Sequence, residues 1–455
     1  MLRARTDTVE IYRNADGIAR IVRQGLCHRC GACVGVCPDG TLEMREGWPV
    51  VVGDCSHCNR CVRVCSGLEV NYPALGRQVY GEGGYTFGSL SGPVRAAWIV
   101  HATSPEIRRA GASGGAVTAL LVHALQRREV QGAILAVDDP VEPARAVGKV
   151  ARTVEEILAG ARSRYTTAPI LAVLQEIRDL PGPWAMVGLP CHIHALRRLQ
   201  QMDARWKERI KLVMGLLCHY TLPWEFLRWV GEVLAPPSAK LQRIAFRDKT
   251  YGGWPYNNVV MEFSDGTRWQ PPLPVADCFN IFSRLAPLGR CTLCMDACAE
   301  FSDLAVGDPW IRGAHGDWKY GHPDGASLVL VHTELGEEVM RQAREGGALK
   351  GFPIPIEEAV DHGQHIMMRE KKEQVGLRLR WRQKLGMPVP RYPGIQAPRA
   401  TWASLVAELR FLATRLNPLC SLWQWLLLRF AFSPVGLWLI RTRQATRKWR
   451  HRSKS

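Results

Sequence analysis

From Lys371 to its last residue the chain has almost no acid: Glu373 and Glu408 stand against 18 Lys and Arg. Nearly all of the formal net charge of +17 therefore sits in this tail, and the first 370 residues are close to neutral. This distribution excludes a uniformly basic protein and gives a neutral body with a basic appendage. The N-terminal stretch MLRARTDTVEIYRN has basic residues but no apolar segment behind them, so no secretory signal is expected. An apolar run at residues 419–440, LCSLWQWLLLRFAFSPVGLWLI, is interrupted by Arg429 and Pro434. A central Arg costs about 2.5 to 3.5 kcal/mol on the insertion scale, which counts against a comfortable single span. Disorder is not indicated, since 47% of the 455 residues are hydrophobic. A chain of this length carries a soft expectation of about three domains.

Cysteine is what the chain has in quantity, with 15 residues in repeating patterns. One spacing, C-x2-C-x2-C-x3-C, is written twice: Cys27, Cys30, Cys33, Cys37 and then Cys55, Cys58, Cys61, Cys65. A cubane cluster takes three thiolates from one tight loop and a fourth from elsewhere, and in two-cluster ferredoxins the fourth Cys of each run serves the other cluster. Cys27, Cys30, Cys33 and Cys65 are accordingly assigned to one 4Fe-4S centre, and Cys55, Cys58, Cys61 and Cys37 to a second. Gly31 leaves room for the loop to wrap closely. Pro38 follows Cys37 as in the bacterial pattern, whereas Ser66 stands where a second Pro would be usual. A pair of zinc sites is the alternative, but zinc held by four thiolates usually takes two C-x2-C hooks. Thiols in such spacings suit the reducing cytoplasm rather than a disulfide framework.

Residues 71–92 are rich in Gly, Tyr and Ser without a helical period and read as a linker or ordered connection. A strand-helix-strand unit follows. Its strands are Val94–Ala102 and Gly132–Val137, and Val117, Leu120, Leu121, Ala124 and Leu125 form the apolar face of the helix between them. Ser113-Gly114-Gly115 opens that helix, with Ser113 as candidate N-cap. Free N–H groups there suit phosphate, although a glycine-rich helix start is more often just a turn. Two later strands end in cysteine, Trp184–Gly188 running toward Cys191 and Lys211–Leu217 into Cys218. Ligands gather beyond the carboxyl ends of strands in open α/β sheets, so these thiols could share one site. With Cys291, Cys294 and Cys298 close behind in C-x2-C-x3-C spacing, a third metal centre is expected. Cys278 and Cys420, which stand alone, read as small core hydrophobes.

Five stretches, GASGGAVTALL from Gly111, GLPCHIHAL from Gly188, GLLCH from Gly215, FRDK from Phe246 and CTLCMDACAEFSDLAVGD from Cys291, together resemble the coenzyme F-420 hydrogenase/dehydrogenase beta-subunit family. The resemblance covers about Val94–Asp308. It implies an α+β protein in which a small N-terminal bacterial-type ferredoxin domain (1–75) is joined to an α/β-containing FAD and iron-sulfur domain (76–370) and a basic helical, amphipathic tail (371–455). It further implies a third 4Fe-4S cluster on Cys191, Cys218, Cys291 and Cys294. Cys298 departs from the family pattern and could replace one of them. Ser113, Gly114, Gly115 and Thr118 are implied FAD contacts, as are Ser163, Arg164 and Tyr165, with Arg164 suited to the diphosphate. Asp296 and Asp308 are candidates for lining the site. His192, His194 and His219 lie near cluster cysteines as candidate proton relays, packed or solvated roles being the commoner fate of at least two of them.

The expected function is an iron-sulfur flavoprotein oxidoreductase that couples one-electron transfer through clusters to two-electron chemistry at FAD, with coenzyme F-420 or ferredoxin as redox partner. The catalytic residue is not identifiable from the sequence. An electron-transfer subunit of a larger complex is the alternative, and no nucleic-acid partner is expected. In the tail, Trp423, Trp425 and Trp438 suit a membrane interface, and RTRQATRKWRHRSK after them suits anionic headgroups. Interfacial anchoring on the inner face of a membrane, a true span, and a helix packed on the body or a partner all remain open.

Overall fold

The computed structural model describes residues 17–442 apart from 251, 315, 397–400 and 416–420. Cys420, Trp449 and the basic segment from Arg443 onward lie outside the described residues. The architecture mixes helices and sheets, with an eight-stranded sheet at its centre.

The repeated cysteine spacing is repeated in the backbone. Each loop turns through two left-handed residues, Arg29 (φ 59°) and Gly31 (φ 81°) in the first, His57 (φ 54°) and Asn59 (φ 59°) in the second. Each then enters a short helix, Ala32–Gly35 or Arg60–Val64. Between them, β1 (Leu42–Arg45) and β2 (Trp48–Val51) form a hairpin. Gly31 is required twice over, by its φ and because a Cβ there would come within 2.7 Å of the Pro169 carbonyl oxygen and the Ala172 nitrogen. The first loop is thus pressed onto the body, and Leu171 donates its N–H to the Cys30 carbonyl at 3.1 Å.

The stretch read as a linker or ordered connection contains a nine-residue helix, Tyr72–Tyr80. Asn71 caps it by accepting from the Ala74 N–H at 3.0 Å, Pro73 lies in the first turn, and Gly81 (φ 78°) ends it. Those are ordinary start and stop signals around an element too short to establish a period.

The large sheet draws on β3 (Ala96–Ala102), β4 (Ala133–Asp138), β5 (Ala146–Ala151), β6 (Trp184–Gly188) and β7 (Ile210–Leu216). A separate three-stranded sheet follows, of β8 (Leu241–Asp248), β9 (Asn258–Phe263) and β10 (Arg268–Trp269). β11 (Leu304–Gly307), β12 (Ser327–Val331) and β13 (Leu349–Ile354) then complete the large sheet in the order β13-β3-β12-β11-β7-β6-β4-β5. At its heart β4, β6, β7 and β11 run parallel. Both faces are covered, as parallel strands require. Helices Ala116–Gln126 and Glu334–Glu345 lie on one apolar face. On the other, helix Pro190–Met202 and the cysteine-rich module share a single core that includes Cys30, Leu75, Met186, Ile193 and Leu330. β3 and β4 flank their connecting helix in sequence but are separated in the sheet by four other strands.

The charge count places a boundary at Lys371, but the chain continues through it without a break. Helix His365–Arg369 passes into a π-turn, Glu370–Gln374, and on into helix Val375–Lys384. Lys371 and Lys372 are each 1% exposed, so the first two cations of the tail belong to the interior.

Candidate functional site

By the charges that act on them, the candidate cluster cysteines fall into three overlapping groups. Cys55 and Cys58 are exposed, and with Cys37 they are the thiols that act on Cys61. Burial, then these neighbours, push the Cys61 thiol up to about 11. Cys27 and Cys30 are each pushed up to about 12, by burial first and then by Cys65, and Cys33 feels Cys27, Cys30 and Cys65 in turn. Around Cys191, burial acts first, then Cys30, Cys291, Cys218 and Cys294. Among the described residues no three His, Cys, Asp or Glu side chains converge on a single metal ion. A cubane instead takes one thiolate on each of four irons, so its ligands need not meet at a point. Buried thiols that raise one another's pKa need a cation between them to ionise, which a 4Fe-4S cluster supplies.

The groups adjoin in sequence. Cys33 feels Cys61 of the exposed group, and Cys191 feels Cys30 of the middle one. Ser66, which takes the place of the usual Pro, donates its hydroxyl to the Cys191 carbonyl at 2.8 Å. Arg290, 1% exposed, donates to the carbonyls of Gly67 (2.8 Å) and Ser66 (3.2 Å) from the turn that carries Cys291. Lys371 donates from Nζ to the Cys291 carbonyl at 2.6 Å. Cys298 stands apart from the third group. It is fully buried, its Sγ is 3.7 Å from the Leu90 carbonyl oxygen, and the charges acting on it are Asp296, Glu300 and Lys372 rather than other thiols.

Beyond Cys218 opens a cavity of about 470 Å³, within the size range of cofactor sites. The carboxyl ends of all four parallel strands line it, through Ala136, Gly188, Leu216 and Asp308 among others, as expected for an open α/β sheet. Ser113, Gly115, Thr118, Ser163, Arg164 and Tyr165 also line it, and so do His192 and His219.

Several of these residues differ in role from the sequence expectation. Gly115, with φ 77°, is the helix N-cap in place of Ser113. Ser113 turns its hydroxyl to the Asp308 carboxylate instead. Gly114 is not in the lining: a Cβ there would meet the Val100 carbonyl oxygen at 2.6 Å, so this glycine serves strand packing. Arg164 has its guanidinium engaged already, pairing with Asp138 and donating to the carbonyls of Ala159, Gly160 and Ala161 at the end of helix Val154–Ala159. Asp296 lies outside the lining, fully enclosed, where it pairs with His194 Nε2 at 3.0 Å and accepts from the N–H groups of Cys298 and Glu300. His192 is locked between the Leu189 N–H and the Ala168 carbonyl, and burial lowers its pKa to about 4. Of the three histidines, His219 is the one that both lines the cavity and bonds a carboxylate, that of Glu370, at 2.9 Å.

Arg247, not singled out from the sequence, provides the buried cation of the cavity. β8 is irregular between Ala245 and Asp248, and Arg247 takes a left-handed φ of 64° at that bulge. The bulge brings its guanidinium to Asp308, to Ser113 Oγ (2.9 Å) and to the Tyr165 hydroxyl (3.4 Å). Its Nε, and the hydroxyl of Thr166 in the same lining, are buried with no partner. Two unsatisfied donors in an apolar-walled cavity at the strand ends fit the polar part of a bound cofactor. The FRDK stretch carries Arg247, but its importance comes from a bulge and two distant partners.

The family described as coenzyme F-420 hydrogenase/dehydrogenase, beta subunit, matches with its N-terminal part at residues 97–175 and its C-terminal part at 183–355. The chain belongs to that family. A 4Fe-4S binding domain matches at residues 21–43. A coenzyme F-420-dependent sulfite reductase of Methanocaldococcus jannaschii is 27% identical over 78% of this chain, which spans about half (51%) of that protein. The coenzyme F-420 hydrogenase subunit beta of Methanococcus voltae is 26% identical, over 66% of this chain and 99% of its own length. A subunit of the F-420H2 dehydrogenase of Methanosarcina mazei is 25% identical, over 78% and 92%. Among solved structures, a chain of the F-420-reducing [NiFe] hydrogenase complex of Methanosarcina barkeri shares the fold with TM-score 0.51 and 21% identity, covering 69% of this chain and all of that one. Membership of this family, with the 4Fe-4S domain, makes the chain an iron-sulfur oxidoreductase.

Proposed function

We propose that the chain is a converter between two-electron and one-electron carriers, with FAD in the cavity and three 4Fe-4S clusters leading from it to the surface. The observation that carries this reading is the double position of Cys218, which lines the cavity and belongs to the third thiol group. FAD bound there would exchange electron pairs with an organic carrier and pass electrons singly to iron-sulfur centres. The chain's own residues position and shield. Arg247 and Thr166 present donors, and the Ser113–Asp308–Arg247 contact fixes the glycine-rich turn. From Cys218 the thiol groups lead through Cys191 and Cys30 to Cys33 and Cys61, and so to the exposed Cys55 and Cys58, where a one-electron partner can approach.

Coenzyme F-420 is the two-electron carrier we favour, because the relatives above bear its name; ferredoxin suits the exposed group. The test is anaerobic: reconstitute the clusters, measure bound flavin, add reduced coenzyme F-420 and follow flavin absorbance. Rapid bleaching is expected. No bleaching, with prompt reduction by ferredoxin, would leave the cofactors and replace the carrier. A second reading, an electron-transfer subunit with no substrate of its own, is favoured by the fact that two of the relatives are described as subunits. Purification with a stoichiometric second polypeptide and no turnover alone would select it.

A further inference from the structure

Helix Ser421–Ala431 and the segment Pro434–Thr442 form a pair bent by 66°. The break is built from sequence: Ser433 donates its hydroxyl to the Phe430 carbonyl (2.7 Å) and accepts from the Gly436 N–H (3.2 Å), while Pro434 begins the next turn. One side of the pair is already occupied by the body. Leu428 is fully buried, Gln424 donates to the Leu285 carbonyl at 3.3 Å, and the Phe432 ring meets Trp269 and Phe282 with centroids 5.0 and 6.1 Å apart. These inward residues recur every four positions, as one helix stripe does.

The opposite side is apolar as well, where a surface helix would be polar. Trp423 is 58% exposed, Phe430 50%, Val435 58% and Trp438 62%. Arg429 and Arg441 are the two charges between residues 422 and 442. Residues 441–455 then hold seven Lys and Arg and no acid.

We propose that this outer face docks on an anionic lipid bilayer, lying in the headgroup region parallel to the membrane plane. The inward stripe is committed to the protein body, and no single described helix is long and apolar enough to cross a membrane. Tryptophan and arginine on the outer side match the interface, where an apolar ring and a charged head are both accommodated. The positive run after the pair complements anionic headgroups, whereas a second copy of the chain would bring like charge against it. The pair also lies beyond residue 355, where the match to the family model ends.

The test is co-sedimentation of the full-length holoprotein with phosphatidylcholine vesicles and with vesicles containing phosphatidylglycerol. Binding is expected on the anionic vesicles, weakened by salt, and reduced about tenfold or more by Trp423→Ser with Trp438→Ser. These exposed positions leave flavin and iron content unchanged, which confirms folding. Failure to bind anionic vesicles, or binding indifferent to the double substitution, would overturn the proposal. So would a self-associated or partner-bound form that the same substitutions dissociate, since the face would then be covered by protein.

Discussion

Ser66 and Cys191 are joined by a hydroxyl-to-carbonyl hydrogen bond of 2.8 Å across 125 positions of sequence. The first follows Cys65 of the middle thiol group, and the second belongs to the group beside the cavity. A Pro at position 66 could not make this bond. Ser66→Ala removes that donor from the Cys191 carbonyl and is expected to lower stability by about 0.5 to 1.5 kcal/mol. Thermal unfolding of the anaerobic holoprotein measures it, with unchanged iron content as the control. An unaltered melting curve would mean that the two loops are held without Ser66.

The thiol groups make separable predictions. Cys58→Ser should remove the iron of one cluster and leave two sets of cluster signals in low-temperature electron paramagnetic resonance after reduction. Cys298→Ser should leave all three, since Cys298 sits among Asp296, Glu300 and Lys372 and apart from the other thiols. Loss of a cluster in the Cys298 variant would move that residue into the ligand set.

Lys372 and Glu300 form a buried ion pair, 1% and 0% exposed, with the Tyr85 hydroxyl also on the carboxylate at 2.7 Å. Burial raises the Glu300 pKa to about 7. Lys372→Met strands that carboxylate and should cost about 3 to 5 kcal/mol. Adding Glu300→Gln should recover most of the loss, because the uncompensated carboxylate is gone. Additive losses in the double variant would show that the two residues act independently.

Much of this organisation was legible in the sequence, for physical reasons. The thiol groups follow from fixed spacings, and helix Ala116–Gln126 from an apolar face at helical period. Helix Tyr72–Tyr80 was missed because nine residues are too few to establish a period among Gly and Tyr. The burial of Lys371 and Lys372 was not legible, because a charge count carries no information on burial and the π-turn that carries them inward leaves no pattern in sequence. Arg164 rather than Arg247 was expected to serve a phosphate. What separates them is the company each keeps: one guanidinium is saturated by Asp138 and three carbonyls, the other has an unpartnered Nε in the cavity lining.

Lys249 gives a pH dependence. Its Nζ donates to the carbonyls of Arg108 (2.5 Å), Ser113 (2.7 Å) and Asp324 (3.1 Å), tying the glycine-rich turn to its neighbours. Burial, then the charges of Arg108 and Arg247, lower its pKa to about 8. A cation with a lowered folded pKa costs stability while it is charged. That cost fades as pH rises from about 8 toward the unfolded value of about 10.4. The stability of the wild type relative to Lys249→Met should therefore increase between about pH 7 and pH 9.5. A flat or falling difference in paired unfolding measurements would contradict the assignment.

The most direct measurement of the proposed route is a stopped-flow experiment on the wild type and Cys58→Ser. The flavin is first reduced by a two-electron donor, and electrons are then withdrawn by oxidised ferredoxin. Flavin reduction at the same rate in both proteins is predicted, with delivery to ferredoxin slowed by about tenfold or more when the exposed cluster is missing. Equal delivery by both proteins would contradict a path that runs from Cys218 through Cys30 and Cys33 to the surface at Cys55 and Cys58.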